Sequence, residues 1–140
     1  MRSSTKITLE DAQLIIRHCK HQANKIGVDM DIAVADDGGH LIAFERMDGA
    51  RITSIEISIN KAFTAAAARK STRDYGESSQ PGKPAYGINS SHQGRFMVVA
   101  GGLPIFMDGE IVGGIGCSSG TPDQDEEVAQ YGLDRFLESL

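Results

Sequence analysis

Apolar residues recur at helical spacing from Ala12 through Ile15, Ile16, Cys19 and Ala23 to Ile26, behind Thr8 and the acidic Glu10 and Asp11, and the run stops at Gly27. A hydroxyl residue ahead of an acidic first turn starts a helix, and a glycine after the last periodic position ends it. Two apolar runs follow, Met30 to Ala35 and His40 to Glu45, and the Asp37-Gly38-Gly39 link between them predicts an antiparallel hairpin. Thr53-Ser54-Ile55-Glu56 has the form of a capping box and predicts a second helix to about Arg69. Ile55, Ile59, Ala62, Phe63 and Ala66 form one face of it, with Ile57, Ala65 and Ala68 on the opposite side. A helix that is apolar on two sides must be covered twice. This one is expected to meet a second layer or another subunit, with Ala62, Ala65, Ala66 and Ala68 allowing close approach.

Ser71-Thr72-Arg73-Asp74 predicts a further short helical turn, after which Gly76, Pro81, Gly82, Pro84, Gly87 and Gly94 punctuate a stretch without any period. So long a loop is expected to act as a lid or binding loop. Phe96 to Ala100 and Ile105 to Met107 read as strands, and Asp108-Gly109 links the latter to a third, Glu110 to Cys117. Thr121-Pro122-Asp123-Gln124 starts a final helix, with Val128, Ala129, Gly132, Phe136 and Leu140 on its apolar stripe. The expected fold class is α+β, in the order α-β-β-α-(short α)-loop-β-β-β-α, with helices covering an antiparallel sheet.

The chain has 140 residues, enough for one domain over 1–140. A net charge of -5 leaves no electrostatic footprint for a phosphate backbone, so no nucleic-acid partner is expected. Two cysteines and the absence of an apolar leader or span predict a cytoplasmic chain with no membrane partner.

Chemistry has few candidates. His18-Cys19-Lys20-His21 gathers three potential metal or haem ligands on the first helix, with Cys19 on its apolar stripe. No spacing matches a closed structural metal site. His40 opens the second strand and His92 lies in the long loop. Arg46, Asp48 and Arg51 cluster before the second helix, where a guanidinium can hold a carboxylate or propionate. Lys61 stands among small residues and can point into a cleft. Gly101 and Gly102 bring main chain close to something. The run from Gly113 through Ser118 and Gly120 to Thr121 does the same and empties into the last helix, whose free amides would favour an anion. No hydrolytic triad or carboxylate pair follows from these spacings.

In combination, Ala33-Val34-Ala35-Asp36-Asp37-Gly38-Gly39-His40-Leu41, Arg46-Met47-Asp48-Gly49-Ala50, Asn60-Lys61-Ala62, Gln80-Pro81-Gly82-Lys83-Pro84 and Val112-Gly113-Gly114-Ile115-Gly116-Cys117-Ser118-Ser119-Gly120-Thr121-Pro122-Asp123-Gln124-Asp125 closely resemble the GlcG/HbpS-like family, often labelled haem-degrading or haem-binding. The resemblance implies a profilin-like fold with a five-stranded antiparallel sheet, a homo-oligomer, and kinship with the C-terminal domain of PduO-type corrinoid adenosyltransferases. Ala100 and Ser119 stand where the family commonly has glycine.

The expected function is a haem or tetrapyrrole-binding accessory protein, with His18, His21 or Cys19 as iron ligand and Arg46 near a propionate. One alternative is an enzyme or sensor for a short hydroxy or carbonyl metabolite, using Lys61 and Arg46 under the long loop. Another is a non-catalytic scaffold. Self-assembly is expected through the second helix.

Overall fold

A computed structural model describes residues 1–140. Helix α1 spans Leu9–Ile26; Thr8 and Asp11 cap it reciprocally, and Gly27 closes it in the left-handed conformation. Strands β1 (Asp31–Asp36) and β2 (Leu41–Arg46) form the expected hairpin, in whose turn Asp36 accepts from the amides of Gly38 and His40. Helix α2 runs Thr53–Ala68 and α3 Thr72–Ser78, the latter capped by Ser71. After two short 3-10 turns come β3 (Gly102–Met107), β4 (Glu110–Ser118) and α4 (Pro122–Glu138). Asp108 and Gly109 both have positive φ, the signature of the two-residue turn that matches strand twist. No helix is long and apolar enough to cross a membrane.

The sheet has four antiparallel strands in the order β2-β1-β4-β3, not five. Phe96 to Ala100 does not join it, and its Met97 amide is taken by α2 instead, donating to Thr64 Oγ1 at 2.9 Å. Its alternation of apolar residues serves packing along a helix flank instead. Pro104 is tolerated because β3 is an edge strand.

One face of the sheet carries Ile32, Val34, Ile105, Ile115 and Cys117, and α1 and α4 close over it to make the main core. The other face is nearly flat. Ala33 and Ala35 of β1 meet Ala62 of α2, with Phe44 and Ile59 at the margin. Beside them Gly114 and Gly116 leave α2 free to touch β4 backbone to backbone: a Cβ on Gly114 would sit 2.5 Å from the Ala62 carbonyl, and one on Gly116 2.6 Å from the Ala62 amide. This corrects two expectations. The glycine run receives a helix of its own chain, and Ala62, Ala65 and Ala66 are buried against that sheet, not free for another copy. The far flank of α2 is partly covered by residues 95–97, where Arg95 lies 4.0 Å over the Phe63 ring and bonds Asn60.

The start of α2 also differs. Ile52 precedes the helix in αR geometry and no side chain caps it, so the Thr53–Glu56 box is not made. The amides of Ser54 and Ile55 are taken by the carbonyls of Arg51 and Ile52.

Candidate functional site

Helix α2 enters the sheet so closely that its lysine is swallowed. Lys61 is 1% exposed, and its ammonium donates to the Cys117 carbonyl at 2.9 Å and to Asp125 Oδ2 at 3.0 Å. Asp125, in the first turn of α4, is 3% exposed and uses Oδ1 to accept from the Gly120 amide at 2.8 Å. Burial pushes its carboxyl above the usual range, while Lys61 and the Gly120 amide pull it back. Gly101 is required here, since a Cβ would stand 2.7 Å from Lys61 Nζ and its φ is +128°. Gly102 plays the same part against Thr72 and the Lys61 carbonyl.

The pair forms the floor of a cleft of about 240 Å³ between the starts of α2 and α4. Arg51 stands at its rim, with its amide donating to Ser119 Oγ at 2.9 Å and its guanidinium to the Gly120 carbonyl at 3.3 Å. Ser119 holds φ at 107°, a glycine-like conformation that the bond to Arg51 helps fix in a serine. Thr53, Ser54 and Ser118 supply hydroxyls, and Ile57, Met97 and Val99 an apolar wall.

The cleft therefore unites four of the expected residues, Arg51, Lys61, Ser118 and Gly120, with Thr121 beside it as the α4 cap. It does not hold the rest. Four amides at the start of α4 are taken: Thr121 and Gln124 cap one another, Asp125 accepts from Gly120 through its side chain, and the Asp125 amide donates to the Thr121 carbonyl. Arg46 and Asp48 line a separate cleft of about 320 Å³ with Lys20 and Asp29. Lys61 and Arg46 thus share no pocket. Nor does the loop from Gly76 to Gly94 close over Lys61; Gly76, Glu77 and Gln80 border a neighbouring groove with Arg73 and Ala100. His40 is exposed on its hairpin. His92 is exposed on the other flank of α2, against Phe63 at 5.4 Å and Phe96 at 6.2 Å.

On α1, Cys19 is fully buried against Gly132 of α4 and the Cys117 thiol. That contact, then burial, raises the Cys117 thiol well above its ordinary value, and the two cysteines are not bridged. Cys19 is thereby removed from the ligand candidates. His21 is exposed and stacks on Tyr131 at 5.9 Å. His18 is half-buried beside α4; burial first, then Arg135, Arg17 and His21, hold its pKa below the ordinary 6.5. Asp125, Ser54 and the apolar wall were not singled out as site residues from sequence. The usable signal for Asp125 was a carboxylate one turn behind a glycine run, which reads more simply as dipole complementation.

A family model described as "Haem degrading protein HbpS-like" matches residues 7–134. The chain is 38% identical over 132 residues, 94% of its length and 93% of the relative's, to an uncharacterized 15.0 kDa protein from the dhaT-dhaS intergenic region of Citrobacter freundii. It is 36% identical over 118 residues to protein GlcG of Escherichia coli K12, covering 84% of this chain and 85% of that one. The crystal structure of a PduOC:heme complex superposes with a TM-score of 0.89 at 29% identity, covering 93% of this chain and 94% of that one.

Proposed function

The chain belongs to the HbpS-like haem-degrading protein family, and from that premise we propose that it is a cytoplasmic haem-binding accessory protein whose iron ligand is the imidazole of His18. The observation that carries this reading is the state of that ring. An iron centre takes the lone pair of a neutral imidazole. His18 sits half-buried on α1 beside Arg135 of α4, and that burial, with Arg135, Arg17 and His21, lowers its pKa and so favours the neutral ring. The same guanidiniums are the cations that haem propionates seek. Haem, when bound, supplies a redox-active iron. The protein's own part is to present one nitrogen at neutral pH and to pair the propionates.

The donor set fits the group, while the clefts beside Lys61, Arg46 and Arg73 contain no histidine. The donor therefore lies on the outer side of α1, against α4, not in a cavity. The similarity to a haem complex at a TM-score of 0.89 supports the same reading. A homo-oligomer would cover a surface-held macrocycle, and exposed Ile52 and half-buried Ile55 offer α2 as its contact.

Titration of the purified chain with micromolar haemin should give a saturable Soret shift. His18→Ala should weaken binding about tenfold or more, ~1.4 kcal/mol, and His21→Ala should leave it close to wild type. Because the His18 pKa lies below 6.5, proton competition should appear only on the acid side of that value. Absence of a saturable shift, or equal binding by His18→Ala, overturns the assignment.

A further inference from the structure

The cleft over Lys61 is independent of the histidines on α1, and its polar groups are not used up by the fold. An ammonium has three N–H donors. Lys61 spends two, on Cys117 and Asp125, and the third is left at the floor of the cleft. Ser54 and Ser118 are 2% and 5% exposed and line the same floor, and neither hydroxyl has a hydrogen-bond partner within the chain. The spare N–H of Lys61 and the two serine hydroxyls converge on one space, and together they describe a ligand's complement.

The charges give the sign of that ligand. Lys61 is matched by Asp125, whereas Arg51 at the rim makes no ion pair and bonds only a carbonyl with its guanidinium. The cleft thus carries one unmatched positive charge. Its donors lie at two depths, with the exposed guanidinium of Arg51 above and the buried Lys61, Ser54 and Ser118 below. Met97 and Val99 wall the space between. At about 240 Å³ it falls below the range of about 300–1,000 Å³ in which drug-sized ligands are held.

We propose that this cleft binds a small carboxylate that bears a hydroxyl or carbonyl oxygen on the neighbouring carbon. The carboxylate pairs with Arg51 at the rim. The second oxygen reaches the spare N–H of Lys61 and the two serine hydroxyls. A neutral diol of the same size lacks the charge that Arg51 requires, and a simple carboxylate lacks the oxygen that satisfies the floor.

Isothermal titration of the haem-free chain with sodium lactate, sodium acetate and propane-1,2-diol tests this. Lactate should bind saturably, acetate about fivefold or more weaker, and the diol not measurably. Ser118→Ala and Arg51→Gln, which leave the buried Lys61–Asp125 pair intact, should each weaken lactate by about fivefold or more. His18→Ala should bind lactate as wild type does, which separates this site from the haem reading. Four results overturn the proposal: no lactate heat at tens of millimolar, diol binding as tight as lactate, both cleft variants binding like wild type, or loss of lactate binding in His18→Ala.

Discussion

Replacing Lys61 by methionine is the sharpest test of how the cleft is built. The side chains are similar in length, so packing is largely kept, and the change isolates the charge. It leaves the Asp125 carboxylate 3% exposed with only the Gly120 amide as partner. Removing one member of a buried pair costs about 3–5 kcal/mol, because the other stays desolvated. At roughly 3–5 °C per kcal/mol for a chain of this size, the melting temperature should fall by about 10–20 °C.

The pH dependence gives the loss a signature. Burial already raises the Asp125 carboxyl and Lys61 opposes it. Without Lys61 the folded carboxyl holds its proton further above the ordinary 3.8, to which the unfolded chain returns. A raised carboxyl destabilises the fold as pH climbs, so the deficit of Lys61→Met should be smaller at about pH 5 than at about pH 8. Adding Asp125→Asn removes the stranded charge and should recover part of the loss. Urea unfolding at both pH values, checked by calorimetry, measures all three quantities. A deficit below about 1 kcal/mol, or one unchanged by pH, would refute the argument that the pair is a desolvated ion pair.

Gly116→Ala should cost about 3 kcal/mol or more in urea unfolding, since the new Cβ would meet the Ser58 carbonyl and the Ala62 amide and the obstacle is backbone; a loss under about 0.5 kcal/mol would show that α2 can ride up freely. Asp31 is fully buried, both its carboxylate oxygens lack partners, and burial raises its pKa against the pull of Arg46. The folded state therefore keeps that proton longer, and stability drains away as pH rises above the ordinary 3.8. Asp31→Asn should gain on wild type in urea midpoints as pH rises above about 4, and parallel profiles would show that Asp31 is solvated.

Where local chemistry alone decides an element, sequence was sufficient. Thr8 with Asp11, Thr121 with Gln124, and Ser71 cap three helices within their own first turns, and Asp108-Gly109 sets its hairpin by its own backbone. Most of the failures have a different cause, a partner far along the chain, and the start of α2 is the local exception. Phe96 to Ala100 has strand-like alternation, but Thr64 claims the Met97 amide from a helix 33 residues away. The Thr53 box is a valid local pattern, yet the chain enters α2 in helical geometry from Ile52. Lys61 was recognisable by its small neighbours, whereas its partner Asp125 lies 64 residues on, in an acidic turn that looked complete in itself. Arg46 and Lys61 were expected to share a pocket under the long loop, but β2 is an edge strand and Arg46 stays out with Asp48.

The glycines that looked like ligand contacts act on the site at one remove. Gly114 and Gly116 lower α2 onto β4, and that descent carries Lys61 to the Cys117 carbonyl at the end of the same strand. Gly101 then leaves the room that Nζ needs to reach Asp125, which anchors α4 and orders the Gly120 amide. A change of helix height at Gly116 must therefore be felt at the cleft floor. Gly116→Ala is expected to lose affinity for lactate along with stability, while Ser118→Ala loses affinity with stability nearly unchanged. The contrast between those two variants separates residues that hold the cleft open from residues that touch what enters it.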